Sequence, residues 1–469
     1  MWKKKSVHQL VKFSLFFHPI PPWKTQISGR TSFSFLGGSN RFYISSNQAS
    51  RLQQSHLVKM KLDTPEFHKL FTSELKTLIA LFEKNKHEIR IAGGPVRDLL
   101  MGKVCHDVDL ATTATPTQMK EMFELEGIRM INNKGESHGT ITARINDKEN
   151  YEVTTLRIDI RTDGRHAEVE FTKDWQLDAY RRDLTINAMF LDVDGTVYDY
   201  FNGIEDVNNR KVRFVGDPAD RIQEDYLRIL RYFRFYGRVA ATAEEHEEAT
   251  LKAISENAEG LKGISGERIW LELQKILTGN HAASIVKAIV QTGVYKYIGF
   301  PDSLSLEEFE SVCERTEGSV PTPMTRMAAL FSDVDQIYEM NKRLKVSTDE
   351  LKTCLFVVMY RDQSPGENVM QYYQHLIASL AGKENKPHER VVELLKYKGM
   401  GETRKAIETW NMPRFPISGK DLLEMNVKKG PVFSKALGEL RRRWIESDFQ
   451  MTREELLDTI GEVLSDIRS

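Results

Sequence analysis

The 469 residues carry 66 Lys plus Arg against 67 Asp plus Glu, and 40% of them are hydrophobic. Such a chain is too long for one ordinary core, and too evenly mixed to be mostly disordered, collagen-like or a multi-span membrane protein. Cys105, Cys313 and Cys354 stand far apart with no CxxC pair, which disfavours a disulfide scaffold or a cysteine zinc site and favours a reducing compartment.

The net charge of −1 averages two unlike parts. Residues 1–62 hold ten basic residues and no acid, the first acid being Asp63; the 56 basic and 67 acidic residues that remain sum to −11. Ser, Lys and Arg are interspersed there, and Leu10, Phe13, Phe16 and Phe17 can form one apolar side of a short helix. This composition predicts an organelle transit peptide over 1–62, with mitochondrial targeting. A basic tail that binds nucleic acid non-specifically is the alternative. No stretch approaches the ~20 apolar residues of a spanning helix. Met60 offers a second start, whose leaderless product would serve cytoplasm and nucleus.

After the leader, the apolar spacing of Phe67, Leu70, Phe71, Leu75, Leu78 and Leu81 predicts one amphipathic helix over 65–86. Short strands are expected at 88–92, 108–111, 139–145, 151–159, 167–171, 188–192 and 197–199. Thr115-Pro116 reads as a helix start, with Thr as cap and Pro in the first position. Beyond about residue 219 strand signals cease and helical periods run to the end. Polar breaks fall at 364–368 and 383–388. The fold class is α+β, with a mixed sheet and helices in front and an all-α rear.

Five constellations carry chemistry. Gly93-Gly94-Pro95-Val96-Arg97-Asp98 follows an apolar strand; the glycines permit a sharp turn, and a helix start with Arg97 nearby favours phosphate. A purely structural turn fits the same residues. In His106-Asp107-Val108-Asp109, strand alternation puts both carboxylates on one face, where they repel unless a cation lies between them. Hard oxygen ligands of this kind suit Mg²⁺ shared with a substrate's phosphates; an exposed strand edge is the bland alternative. On the strand Tyr151–Arg157, Glu152 can supply a third carboxylate, to deprotonate an attacking hydroxyl or hold a second metal, or can simply face solvent.

Arg181-Arg182-Asp183-Leu184-Thr185-Ile186-Asn187 places polar groups in a segment that otherwise reads as core. Such groups need partners, either a nucleotide or one another. Last, Asp225, Arg228, Arg231 and Arg234 recur every three residues, as neighbours along one helix face. They form either an exposed salt-bridged face or a reading head. Cytosine and adenine offer an amino donor beside a ring-nitrogen acceptor, so an Asp acceptor and an Arg donor suit both and reject uracil and guanine.

In this order the motifs resemble the class II nucleotidyltransferases, a family of tRNA CCA-adding enzymes and bacterial-type poly(A) polymerases. The resemblance covers about residues 85–280. It includes Asp199-Tyr200-Phe201-Asn202-Gly203-Ile204-Glu205-Asp206 as the D-x-x-x-G-x-x-D loop and Gly266-Glu267-Arg268-Ile269-Trp270-Leu271-Glu272-Leu273 as the fifth motif. It implies that Asp107 and Asp109 bind metal and that Glu152 is the third carboxylate. It implies nucleotide contacts at Gly94, Arg97 and Arg182, base reading by Asp225 and Arg228, and further nucleotide contacts at Arg231 and Arg234. Glu267 and Arg268 are expected to brace the reading helix.

The same resemblance implies a catalytic head at 63–219, a neck at 220–280, a helical body at 281–390 and a tRNA-binding tail at 391–469. Lys428, Lys429 and Arg441–Arg443 are the candidate tail contacts, or else a solvated basic helix face. Gly135-Glu136-Ser137-His138-Gly139-Thr140 resembles the GxxHGT of the CCA-adding branch, and the loop 159–166 follows as in that branch. The leader suits the eukaryotic mitochondrial form. The expected reaction is template-independent addition of C, C and A to the tRNA 3′ end from CTP and ATP with Mg²⁺, by a monomer or homodimer that binds the acceptor–TΨC half. A poly(A) polymerase or an inactive tRNA-binding protein are the competing readings.

Overall fold

Short runs of β-branched and aromatic residues between turn residues build an eight-stranded mixed sheet at the front of the chain. The computed structural model describes residues 57–105, 107–131, 133–162 and 167–468. The targeting reading of the leader, His106 and residues 163–166 of the 159–166 loop lie outside the described residues. The strands are β1 Val58–Lys61, β2 Ile89–Ala92, β3 Asp109–Thr112, β4 Arg129–Ile131, β5 Thr140–Ile145, β6 Glu149–Thr155, β9 Met189–Leu191 and β10 Thr196–Asp199. Their order is β1-β10-β9-β2-β3-β6-β5-β4. β3 and β6 pair parallel, whereas the other neighbours are antiparallel. β7 Arg157–Thr162 and β8 Ala167–Phe171 form a separate ribbon.

Alternation divides the sheet into two faces. Ile91, Leu110, Val153 and Ile141 stand in one row and are buried. The helices Ser73–Lys84 and Pro116–Leu125 cover that face with Leu75, Leu78, Phe82, Met119 and Phe123. The adjacent row, Asp109, Glu152 and Thr142, points the other way. Thr115 caps its helix in a full capping box with Gln118, as expected at Thr115-Pro116.

Four local expectations need correction. The helix expected over 65–86 is two, Pro65–Lys69 and Ser73–Lys84, because Thr64 and Thr72 each cap a new start. The strand expected at 151–159 is also two. β6 begins earlier, after a turn in which Asn146 and Asp147 take positive φ. It ends where Leu156 donates its N–H to the Thr112 carbonyl at 2.9 Å and the chain turns into β7. β4 was not anticipated, nor was β1. β1 falls inside 1–62 and pairs Val58 with Asp199 and Lys59 with Tyr198, so the folded sheet starts upstream of the leader boundary expected at 62. A chain begun at Met60 would lack both pairs. Finally, the segment expected as one helix through 225 is broken: Pro218–Glu224 ends at Asp225, whose backbone is extended at φ −152° and ψ 106°, and a new helix runs Arg228–Val239.

Among the described residues every named element after β10 is helical, ending with Ile460–Arg468, and no helix is long and apolar enough to cross a membrane. The rear carries two further apolar clusters, around Tyr373, Val391 and Ile407 and around Leu422, Leu440 and Trp444. The break expected at 383–388 is shorter, because Pro387 already opens the helix Pro387–Tyr397.

The helix Arg228–Val239 is also pinned from outside. His246 Nδ1 shares a 2.9 Å hydrogen bond with the Tyr232 hydroxyl, and its ring stacks on Tyr236 at 3.8 Å. Burial holds the imidazole below its ordinary value of 6.5. A depressed His value means that stability is full above about pH 6.5 and falls as the unfolded chain takes up the proton below it. Between pH 7.5 and 5.5, His246→Asn is expected to lose less melting temperature than the wild type, by roughly 1–3 °C. Equal losses in thermal melts would contradict this.

Candidate active site

The glycine turn and the segment Arg181–Asn187 meet at Gly93. It has φ +72°, and a Cβ there would lie 2.8 Å from Arg182 Nη1 and 3.3 Å from the Asn187 carbonyl. Only a glycine lets the two segments approach so closely. Gly94 is partly exposed and opens the helix Gly94–Leu100. Arg97 on that helix is 3% exposed. It donates to Asp98 Oδ1 at 3.0 Å and to the Asn187 side chain. Burial pushes its guanidinium below the ordinary arginine value, Asp98 opposes this, and Arg238 and Arg234 add to it. Positive charge is therefore concentrated here.

The carboxylates gather beside this turn. Asp109 stands in parallel register opposite Glu152, and Asp107 lies two residues earlier; all three are exposed while Leu110 and Val153 are buried. Asp107, Asp109, Thr142 and Glu152 line a cleft of about 840 Å³. Although the residue is exposed overall, the Asp109 carboxyl is partly desolvated by the cleft wall and sits above the ordinary range for that reason first and through Glu152 next, with Asp107 adding and Arg182 opposing. A row of hard oxygen donors whose mutual repulsion raises one member's pKa matches what a divalent cation requires. Among the described residues no three His, Cys, Asp or Glu side chains form a ready-made metal cage. The donor set fits a cation that takes its remaining oxygens from a substrate and water.

Arg182 is aimed by a residue that sequence reasoning missed. Asp178 is 1% exposed and accepts from Arg182 Nε at 3.2 Å, Arg182 Nη2 at 3.1 Å and Arg181 Nε at 2.8 Å. The signal was present: Asp178 stands three and four residues before the two arginines on one helical turn. Asp183 takes Arg231 Nε at 2.6 Å.

The reading segment departs most from expectation. Asp225, Arg228, Arg231 and Arg234 do not pair along one face. Asp225 is off the helix and accepts from Arg268 Nη2 at 2.7 Å. Arg228 donates to Glu224 at 2.5 Å and to the carbonyls of Arg221 and Arg181. Arg234 reaches Glu272 at 3.2 Å, and Arg238, which the spacing did not single out, reaches Asp98 at 2.6 Å. The arginines are thus tethered to other segments rather than to one another. Glu267 lies 3.8 Å from Lys345.

The D-x-x-x-G-x-x-D loop is a brace. Asp199 accepts the N–H groups of Phe201, Gly203 and Ile204, and Asp206 accepts from Thr185 at 2.5 Å and Arg213 at 2.7 Å. In the tail, Arg442 is occupied by Glu439 and Glu446, and Arg443 by Glu439 and Glu462. Arg441 makes no ion pair among the described residues and lies 5.5 Å from the Phe415 ring centroid; Lys428 and Lys429 are exposed.

Comparison with known proteins bears on most of the chain. The family model described as the poly A polymerase head domain matches residues 89–213, and that of the probable RNA and SrmB-binding site of polymerase A matches 245–303. The mitochondrial CCA tRNA nucleotidyltransferase 1 of Mus musculus is 53% identical over 413 residues, 87% of this chain and 94% of the relative. That of Danio rerio is 54% identical over 410 residues, with the same shares. The crystal structure of the Bacillus stearothermophilus CCA-adding enzyme in complex with CTP shares the fold at a TM-score of 0.66, with 24% identity, 87% of this chain and 99% of that one covered. The motifs, the two-part architecture and this extended identity coincide, and the chain belongs to the class II CCA-adding tRNA nucleotidyltransferases.

Proposed function

We propose that the protein adds C, C and A in turn to the 3′ end of tRNA, using CTP and ATP and releasing pyrophosphate, without a nucleic-acid template. The observation that carries this reading is the carboxylate row Asp107, Asp109 and Glu152, which faces one cleft beside the arginines of the RRD segment.

Asp107 and Asp109 are the residues that would hold Mg²⁺, in a two-metal arrangement. Bound there, Mg²⁺ supplies Lewis-acid stabilisation of charge on the triphosphate and on the attacking oxygen. The Glu152 carboxylate would take the proton from the tRNA 3′-hydroxyl. Arg182, held by Asp178 and by the Asn187 carbonyl, and Gly94 at the helix start would be the phosphate contacts. Arg97 has already spent bonds on Asp98 and Asn187, so it contributes mainly positive potential. Among the described residues Asp225 accepts from Arg268 and the Leu227 N–H, against about four lone-pair sites. It keeps the capacity to accept an amino group of cytosine or adenine while Arg228 donates to the ring nitrogen.

The helical rear would hold the acceptor–TΨC half of tRNA by shape and phosphate contacts, with Lys428, Lys429 and Arg441, which make no ion pair among the described residues, as candidate tail contacts. Mitochondrial localisation is part of the proposal, supported by the leader's composition and by the names of the relatives. The start at Met60 would add the cytoplasm and nucleus.

The test uses purified protein, Mg²⁺, CTP and ATP with a tRNA ending at the discriminator base. Extension that stops after three nucleotides supports the proposal; a ladder of A would mark polyadenylation, and no extension a binding protein. Asp107→Ala is expected to lose transfer by at least ~10³-fold with tRNA affinity nearly intact. Normal turnover in that variant would refute the metal assignment. Asp109→Asn removes one of the crowded charges. It is expected to melt slightly above the wild type without Mg²⁺ at pH 7 and to lose the stabilisation that Mg²⁺ gives the wild type. An undiminished Mg²⁺ shift in differential scanning fluorimetry would count against Asp109 as a ligand.

A further inference from the structure

Three of the arginines proposed to meet the nucleotide converge on one aromatic ring. The guanidinium carbons of Arg97, Arg231 and Arg234 lie 4.9, 5.4 and 4.7 Å from the ring centroid of Phe235. All three fall within the ~6 Å over which a cation is attracted to the ring face. The ring is 5% exposed, so water screens the attraction little. The convergence joins two segments far apart in sequence, the helix Gly94–Leu100 and the helix Arg228–Val239.

We propose that Phe235 is a positioning residue that holds these three guanidiniums in one fixed group facing the triphosphate. The inference rests on the reading of the arginines as nucleotide contacts. Like charges at this spacing repel; Asp98 and Asn187 already hold Arg97, but the carboxylates restrain Arg231 and Arg234 incompletely. Asp183 binds Arg231 through Nε, and neither terminal nitrogen of Arg231 carries a hydrogen bond among the described residues. Glu272 binds Arg234 through Nη1. A guanidinium tethered at one nitrogen can still pivot, and the ring face restricts that rotation.

The choice of an aromatic ring also follows from charge. A further carboxylate at 235 would order the arginines but cancel the formal charge that a triphosphate must meet. The ring's quadrupole attracts cations and leaves their charge intact. Leucine would fill most of the volume without this attraction.

The experiment places phenylalanine with one, two or three ring fluorines at position 235 of the full chain by stop-codon suppression, which keeps the ring's shape while weakening its negative faces. CTP and ATP addition to tRNA is then followed beside Phe235→Leu and Arg231→Ala. KM for both nucleotides is expected to rise stepwise with fluorine count, reaching about tenfold at three fluorines. kcat, rejection of UTP and melting temperature should stay near wild type. A flat KM across the fluorine series, with KM raised in Arg231→Ala, overturns the role of Phe235 alone. An unchanged KM in Arg231→Ala overturns the reading of the arginines, and this inference with it. If Phe235→Leu fails to fold, the fluorine series still decides.

Discussion

Positive charge must be packed densely enough to hold a triphosphate, yet it must not be cancelled by the groups that pack it. Arginine–carboxylate pairs that reach across segments meet this constraint. Asp183 of the RRD segment holds Arg231, Asp98 of the first motif holds Arg238, and Glu272 of the fifth motif holds Arg234. The helix Arg228–Val239 is thereby bolted to the RRD segment and the helix Gly94–Leu100 on one side and to Gly266–Leu277 on the other. Removing one partner of such a buried pair typically costs ~3–5 kcal/mol, because the other charge is stranded. Arg238 is 44% exposed on its side chain, and its pair is worth less for that reason. The pairs therefore fix geometry as much as they add stability.

Negative charge faces the complementary problem. The parallel pairing of β3 with β6 sets Asp109 opposite Glu152, and strand alternation keeps both off the face that buries Leu110 and Val153. A one-residue slip of either strand would turn its carboxylate into the core. The apolar packing of Phe82 and Phe123 behind the sheet therefore fixes the register that the front face needs. The two charge clusters lie side by side, and Arg182 already moderates the Asp109 carboxyl.

Much of this was legible in the sequence because the governing patterns are local. Alternation announced β3 and β6, Thr115-Pro116 announced a capped helix, and the loss of strand signals after about 219 marked the all-helical rear. What stayed hidden is set by partners distant in the chain. A regular three-residue spacing suggested that Asp225 and the arginines pair with one another, but tertiary carboxylates at 183 and 272 and the carboxylate of Asp98 outcompete neighbours on the same helix. Asp225 leaves the helix altogether and finds Arg268. β1 was hidden by composition: four residues of a basic stretch add to the sheet because β10 offers a free edge. Asp178 was missed because a buried acid before two arginines reads, in sequence, like a surface ion pair.

The overall charge now has a structural counterpart. Beyond the basic first 62 residues the chain is acidic, at −11, and cannot depend on general attraction to RNA. Its uncancelled cations are local, and in the tail Arg442 and Arg443 are already neutralised. Selection must come from placed groups, and the central claim is that protein side chains at Asp225 and Arg228 stand in for a template. The most direct measurement is the ratio of kcat/KM for CTP to that for UTP in Arg228→Ala against the wild type, with a tRNA ending at the discriminator base. The account predicts that this ratio falls by at least about tenfold, as expected when a hydrogen bond from a charged group is lost. An unchanged ratio, with Arg228→Ala folded and active, would contradict it.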